Sequence, residues 1–305
     1  MSSIYAYANF NMGRELDIAG TFIYRAIKEF DALTCFREEC DIFHILYNLS
    51  VGIERLQKIL VVLFSGVSNT STPEEIKAFE KSIISHNHIE LHRRISTAVC
   101  MSFNSNQNAF LQMLSTFYKS CRYDRYILSG SYQKERDLLV YFLSERTGRH
   151  ISADGYMWDT SNDDKFKRFF LKIVGSISRM YYRQIENQAY NLNISTYEKR
   201  YDKAAYKLFL GDYKDDSFYD LIINEKIALS EFLVYLLNHK SEEEIMRYLC
   251  ETPALDLDLN EVEIYFNELA KGNVPAALID AVEYSYEELG NPKERVKLML
   301  ALHNQ

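Results

Sequence analysis

Between Leu16 and Phe30, the residues Leu16, Ala19, Phe22, Ile23, Ala26, Ile27 and Phe30 recur at intervals of three and four. That spacing gathers them on one stripe of an α-helix, whereas a strand would scatter them over both faces. The pattern returns over 37–64, where Ile45, Leu46, Leu49, Ile53, Leu56, Ile59, Leu60 and Leu63 form a second stripe. The chain has only 11 Gly and 4 Pro in 305 residues, too few for the turns that an all-β sandwich requires. Thr72-Pro73-Glu74-Glu75 is a helix start, with Thr as N-cap, Pro in the first turn and Glu at the third position. Further helices are expected over 88–101, 106–120 and 135–146, then 163–188, 195–210, 216–238, 242–250, 260–270, 275–289 and 292–303. The expected fold is all-α, an irregular multi-helix bundle without a repeat of fixed period. The polar stretch 149–162, which holds Gly155 and the single Trp, is the expected boundary between a first region, 1–148, and a second, 149–305.

Five cysteines, an odd number with no Cys-x-x-Cys pair, predict mostly buried free thiols in a reducing compartment. The first residues carry neither a basic segment nor a long apolar one, and no apolar run approaches the ~20 residues of a membrane span. The expectation is a cytoplasmic protein that does not enter a membrane.

Glycine-rich phosphate loops and the Gly-x-Ser-x-Gly elbow are absent, so no cofactor is expected. His86, His88 and His92 invite a metal reading, since His88 and His92 lie four apart on one helix face. A zinc-protease motif needs Glu directly after the first His, however, and Glu90 comes two residues after His88. The preferred reading is a polar cluster at a helix start, with no metal. Arg37 and His44 have the loose Arg-x6-His spacing; here the expectation is that Arg37 pairs near the helix start and His44 lies on a partly buried face.

Three segments carry a family resemblance. They are Gly52-Ile53-Glu54-Arg55-Leu56-Gln57-Lys58-Ile59-Leu60, the run from Ser85 to Ile95 (SHNHIELHRRI), and the run from Phe117 to Tyr126 (FYKSCRYDRY). In order and spacing, the span 51–128 resembles the HEPN superfamily (higher eukaryotes and prokaryotes nucleotide-binding). The resemblance implies a helical bundle of the kind linked to bacterial defence or toxin–antitoxin systems, a homodimer, and RNA or a nucleotide as ligand. Many members are metal-independent ribonucleases that use an Arg-x4–6-His pair, the Arg holding the phosphate and the His moving a proton. Arg122 stands where the family's Arg would be, with Arg125 one turn on, and together they could hold a phosphate. No His follows Arg122 within seven residues. Tyr126 is a poor replacement, because a phenol is a weak base at neutral pH. The resemblance thus implies binding with degenerate or absent ribonuclease activity.

The net charge of −8 conceals a split: residues 211–305 hold 20 acidic and 8 basic side chains. The segment 165–207 holds ten basic and three acidic ones. At ~100° per residue, Lys165, Arg168, Lys172, Arg179 and Arg183 fall within about 60° of one another. Phe166, Phe169, Phe170, Ile173, Ile177, Met180 and Tyr181 lie on another face. The basic stripe is about 27 Å long at 1.5 Å per residue. It could follow nucleic-acid phosphates, with Tyr182 and Tyr190 stacking on bases. It could instead receive the acidic C-terminal region, within the chain or across a dimer, or be solvated. The alternative function is a non-enzymatic protein-interaction or self-associating module.

Overall fold

The computed structural model describes residues 4–37, 39–67, 70–121, 126, 128, 134–151, 161–194, 203–238, 252–258, 260–270, 272 and 274–301. All regular elements among them are helical, and an isolated antiparallel bridge joins Cys35 to Ser161. The long helices are α1 (Ile4–Ala32), α2 (Glu39–Leu63), α3 (Pro73–Ser82), α4 (His88–Val99), α5 (Ser105–Thr116), α6 (Lys134–Thr147), α7 (Asp164–Asn191) and α8 (Phe218–Asn238). They are followed by α9 (Val262–Ala270), α10 (Ala276–Glu287) and α11 (Pro292–Ala301). No helix among the described residues is long and apolar enough to cross a membrane.

The expected apolar stripes are the core. Leu16, Ala19, Ile23, Ala26, Ile27 and Phe30 of α1 are fully buried, as are Ile45, Leu46, Leu49, Ile53, Leu56 and Leu60 of α2. Gly52 lets these two helices approach closely, because a Cβ there would lie 2.6 Å from Ile23 Cγ1 and 3.1 Å from the Ala19 carbonyl oxygen. Helix α7 crosses the pair and adds Phe170, which stacks on Phe30 with ring centroids 3.8 Å apart. The predicted start of α3 forms a capping box: the Glu75 N–H donates to Thr72 Oγ1, and the Thr72 N–H donates to the Glu75 carboxylate.

The chain divides into compact units at Met1–Ile222 and Ile223–Gln305. The polar stretch is tied into the first unit at its end: buried Asn162 donates from Nδ2 to the Phe30 and Leu33 carbonyls at 2.8 and 3.0 Å. The expectation of mostly buried thiols changes. Of the four described cysteines, only Cys121 is buried. Cys100 is exposed because it ends α4 in the left-handed region, at φ 50°. The helices expected at 195–210 and 242–250 lie largely or wholly outside the described residues; what is described of the first is a π-helical turn, Tyr206–Leu210.

Within the second unit, the Asp258 carboxylate accepts from the Asn260 backbone N–H at 2.9 Å, an Asx-turn just ahead of α9. Arg295 of α11 donates to the Pro253 carbonyl at 2.7 Å.

Candidate functional site

Of the three segments that carry the family resemblance, the first lies on α2, the second on α4 with its preceding loop, and Phe117–Cys121 of the third forms the π-helical turn that ends α5. Their packing follows from local chemistry. Asn87 caps α4: its Oδ1 accepts from the Ile89 N–H and from the Ser115 hydroxyl, both at 3.2 Å, which anchors the helix start to α5. The π-turn is fixed by buried Phe117, edge-on to Phe43 at 5.4 Å. It sets the Tyr118 ring 5.4 Å from His86 and 6.1 Å from His88. Such π-bulges are frequent at functional sites.

At this corner a buried carboxylate meets an exposed imidazole. Glu54 is nearly buried on α2, while the His86 side chain is 54% exposed. His86 Nδ1 lies 3.0 and 3.2 Å from the two Glu54 carboxylate oxygens, and Lys58 Nζ lies 2.8 Å from Oε1. A carboxylate accepts only, so Nδ1 carries the hydrogen and Nε2 is the nitrogen left for other partners. An imidazole held in one tautomer by a carboxylate can take up a proton at the other nitrogen or deliver one. Exposed Lys119 follows Tyr118 at the same corner, close enough to His88 to oppose its protonation.

Behind the corner runs a buried hydrogen-bond chain. Gln57 Nε2 donates to the His88 carbonyl at 2.9 Å and to Tyr181 Oη at 2.8 Å. The Tyr181 hydroxyl then donates to His92 Nδ1 at 2.9 Å, and His92 Nε2–H meets Ser96 Oγ at 3.2 Å. Both imidazoles are neutral, since burial lowers the pKa of His88 and of His92, and burial holds the Tyr181 phenol protonated. His88 donates from Nε2 to the Ser50 carbonyl at 2.9 Å. The three histidines thus have separate partners, and no group of three metal-ligating side chains occurs among the described residues.

A histidine whose folded-state pKa is lowered binds fewer protons folded than unfolded, so stability falls as pH drops below its unfolded value of about 6.5. The melting temperature is therefore expected to fall between about pH 7.5 and about pH 5.5. The drop should be smaller in His88→Gln, which can still donate to the Ser50 carbonyl. Equal drops in the two proteins would contradict the assignment.

The other predicted residues are placed as follows. Arg122 and Arg125 lie outside the described residues; Tyr126 is described and is 86% exposed. Arg37 precedes α2 and is exposed, and His44 is exposed rather than partly buried, because the α2 positions on either side of it in the helical stripe face the core.

The basic stripe of α7 meets the acidic segment that begins at 211, inside the first unit. Lys172 pairs with Asp215 at 3.0 Å, and Arg179 and Arg183 both pair with Asp216, at 3.1 and 2.5 Å. Arg168 pairs with Asp164 at 2.7 Å and lies 4.1 Å over the Tyr219 ring. Lys165 is exposed. The Lys172 ammonium holds the Asp215 carboxyl below the usual range, and the Tyr219 hydroxyl, then Arg168, does the same for Asp164. Four of the stripe's five cations thus pair within the first unit, three of them with Asp215 or Asp216. Tyr182, expected as a stacking platform, is buried and stacked on Phe209 at 4.7 Å; Tyr190 is exposed.

Sequence reasoning missed the Glu54–His86 pair. The signal was present: Ser50, Glu54 and Gln57 stand at i, i+4 and i+7, a polar line beside the apolar stripe of α2. No family model, curated protein or solved structure matches the chain.

Proposed function

We propose that the protein binds RNA or a nucleotide through its phosphate at the Glu54–His86 corner, as a HEPN-like protein with degenerate or absent ribonuclease activity. The observation that carries this reading is the meeting of α2, the start of α4 and the turn Phe117–Cys121 at an oriented, exposed imidazole. On binding, His86 takes up a proton at Nε2 and donates from there to the phosphate beside the Lys119 ammonium, Tyr118 offers a ring face to a base, and Glu54 acts as the positioning residue for His86. Cleavage is weak or absent, since the sequence after Arg122 lacks the family's paired His.

Fluorescence anisotropy with a labelled single-stranded RNA at about 50 mM salt tests the reading. His86→Ala and Lys119→Glu are each expected to weaken binding about tenfold, which is ~1.4 kcal/mol. Arg168→Glu on α7 should leave it unchanged. Absence of binding at that salt, or binding that neither corner variant alters, would overturn the reading.

A further inference from the structure

In the second unit, α9 rests on buried Tyr265 and leaves Val262, Phe266 and Leu269 at 48%, 38% and 48% exposure. These three stand at i, i+4 and i+7, so at ~100° per residue they share one stripe about 60° wide. The charge around them is predominantly negative. Residues 248–270 contain six acidic side chains and no Lys or Arg. Glu263 borders the stripe on one side, Glu261 and Glu268 lie beyond buried Tyr265 on the other, and Asp256 and Asp258 precede it. Over 223–305 the balance is 16 acidic to 7 basic.

We propose that this face of α9 docks a cationic amphipathic helix of another protein. Apolar anchors at i, i+4 and i+7 are the spacing by which one helix reads another, and the carboxylate border supplies the complementary charge. The same field repels nucleic acid and anionic surfaces. A second copy of this chain is a poor occupant, because the stripe cations Arg168, Lys172, Arg179 and Arg183 of α7 are bonded to Asp164, Asp215 and Asp216. The inference does not depend on the RNA reading, which concerns the first unit.

The test uses the full chain and a fluorescein-labelled Leu/Lys amphipathic helix of about 14 residues, with its Leu/Glu counterpart and a scrambled Leu/Lys peptide as controls. The Leu/Lys helix alone is expected to bind. Phe266→Asp and the double variant Glu263→Lys/Glu268→Lys should each weaken it by about tenfold or more. All three positions are at least partly exposed, and circular dichroism checks that both variants keep their helix content. The proposal is overturned by failure of the Leu/Lys helix to bind, by equal binding of either control peptide, or by indifference to Phe266→Asp. A concentration-dependent dimer abolished by Phe266→Asp would also overturn it, by assigning the face to a second copy.

Discussion

Phe170→Ala is expected to lower the stability of the first unit by about 3–5 kcal/mol, read as a shift in the urea midpoint at unchanged slope. The ring is fully buried, stacks on Phe30 at 3.8 Å and meets Phe110 edge-on at 5.7 Å. Phe110 in turn meets Phe142 at 5.7 Å. One side chain thus joins α7 to α1 and α5, and through Phe110 to α6. The space it leaves is bordered by rigid rings on two helices, Phe30 of α1 and Phe110 of α5, which cannot collapse without moving backbone, so the cavity cost adds to the lost transfer free energy. A loss under about 1 kcal/mol would show that these helices do not share one core.

Asp216→Asn should cost about 2–3 kcal/mol, with the gap narrowing at high salt. The Asp216 carboxylate accepts from Arg183 and forms an ion pair with Arg179, and the Arg179 side chain is only 13% exposed, so the change leaves a largely desolvated cation without its counter-charge. The figure is set below that of a fully buried pair because Arg183 is half exposed. Asparagine isolates the charge: Asp216 has φ 58°, and Asn tolerates the left-handed region as well as Asp does. The segment reaches α7 only because residue 175 is glycine, since a Cβ there would lie 2.1 Å from the Asp216 carbonyl oxygen. With the carboxylate gone, Arg179 and Arg183 are available to a polyanion, and stronger, salt-sensitive retention on heparin is the expected second readout. Unchanged stability and unchanged retention together would mean that the ion pairs contribute nothing measurable.

Helix content, the faces that enter the core and the start of α3 were legible in the residues. Each depends on neighbours within about two turns: apolar spacing in α1 and α2, and the Thr72-to-Glu75 capping box. The charge split was legible too, but its use was not. Charge counts say which segments can attract one another, not whether the chain can bring them together. Gly175 and the left-handed Asp215 and Asp216 make that approach possible, and neither is a signal in composition.

The candidate site shows the same division. Ser50, Glu54 and Gln57 mark a polar line on α2, and the cluster around His88 is plain in the sequence. Residues 54 and 86 are 32 positions apart, however, and two intervening segments had to fold before the carboxylate met the imidazole. By itself, the sequence determined an all-α chain with a basic helix and an acidic C-terminal region, because periodicity and charge are properties of nearby residues. Tertiary structure alone decided that Lys172, Arg179 and Arg183 of α7 pair with Asp215 and Asp216, that the first unit extends to Ile222, and that Glu54 orients His86. Those outcomes rest on long-range contacts, whose partners are selected by packing and not by spacing along the chain.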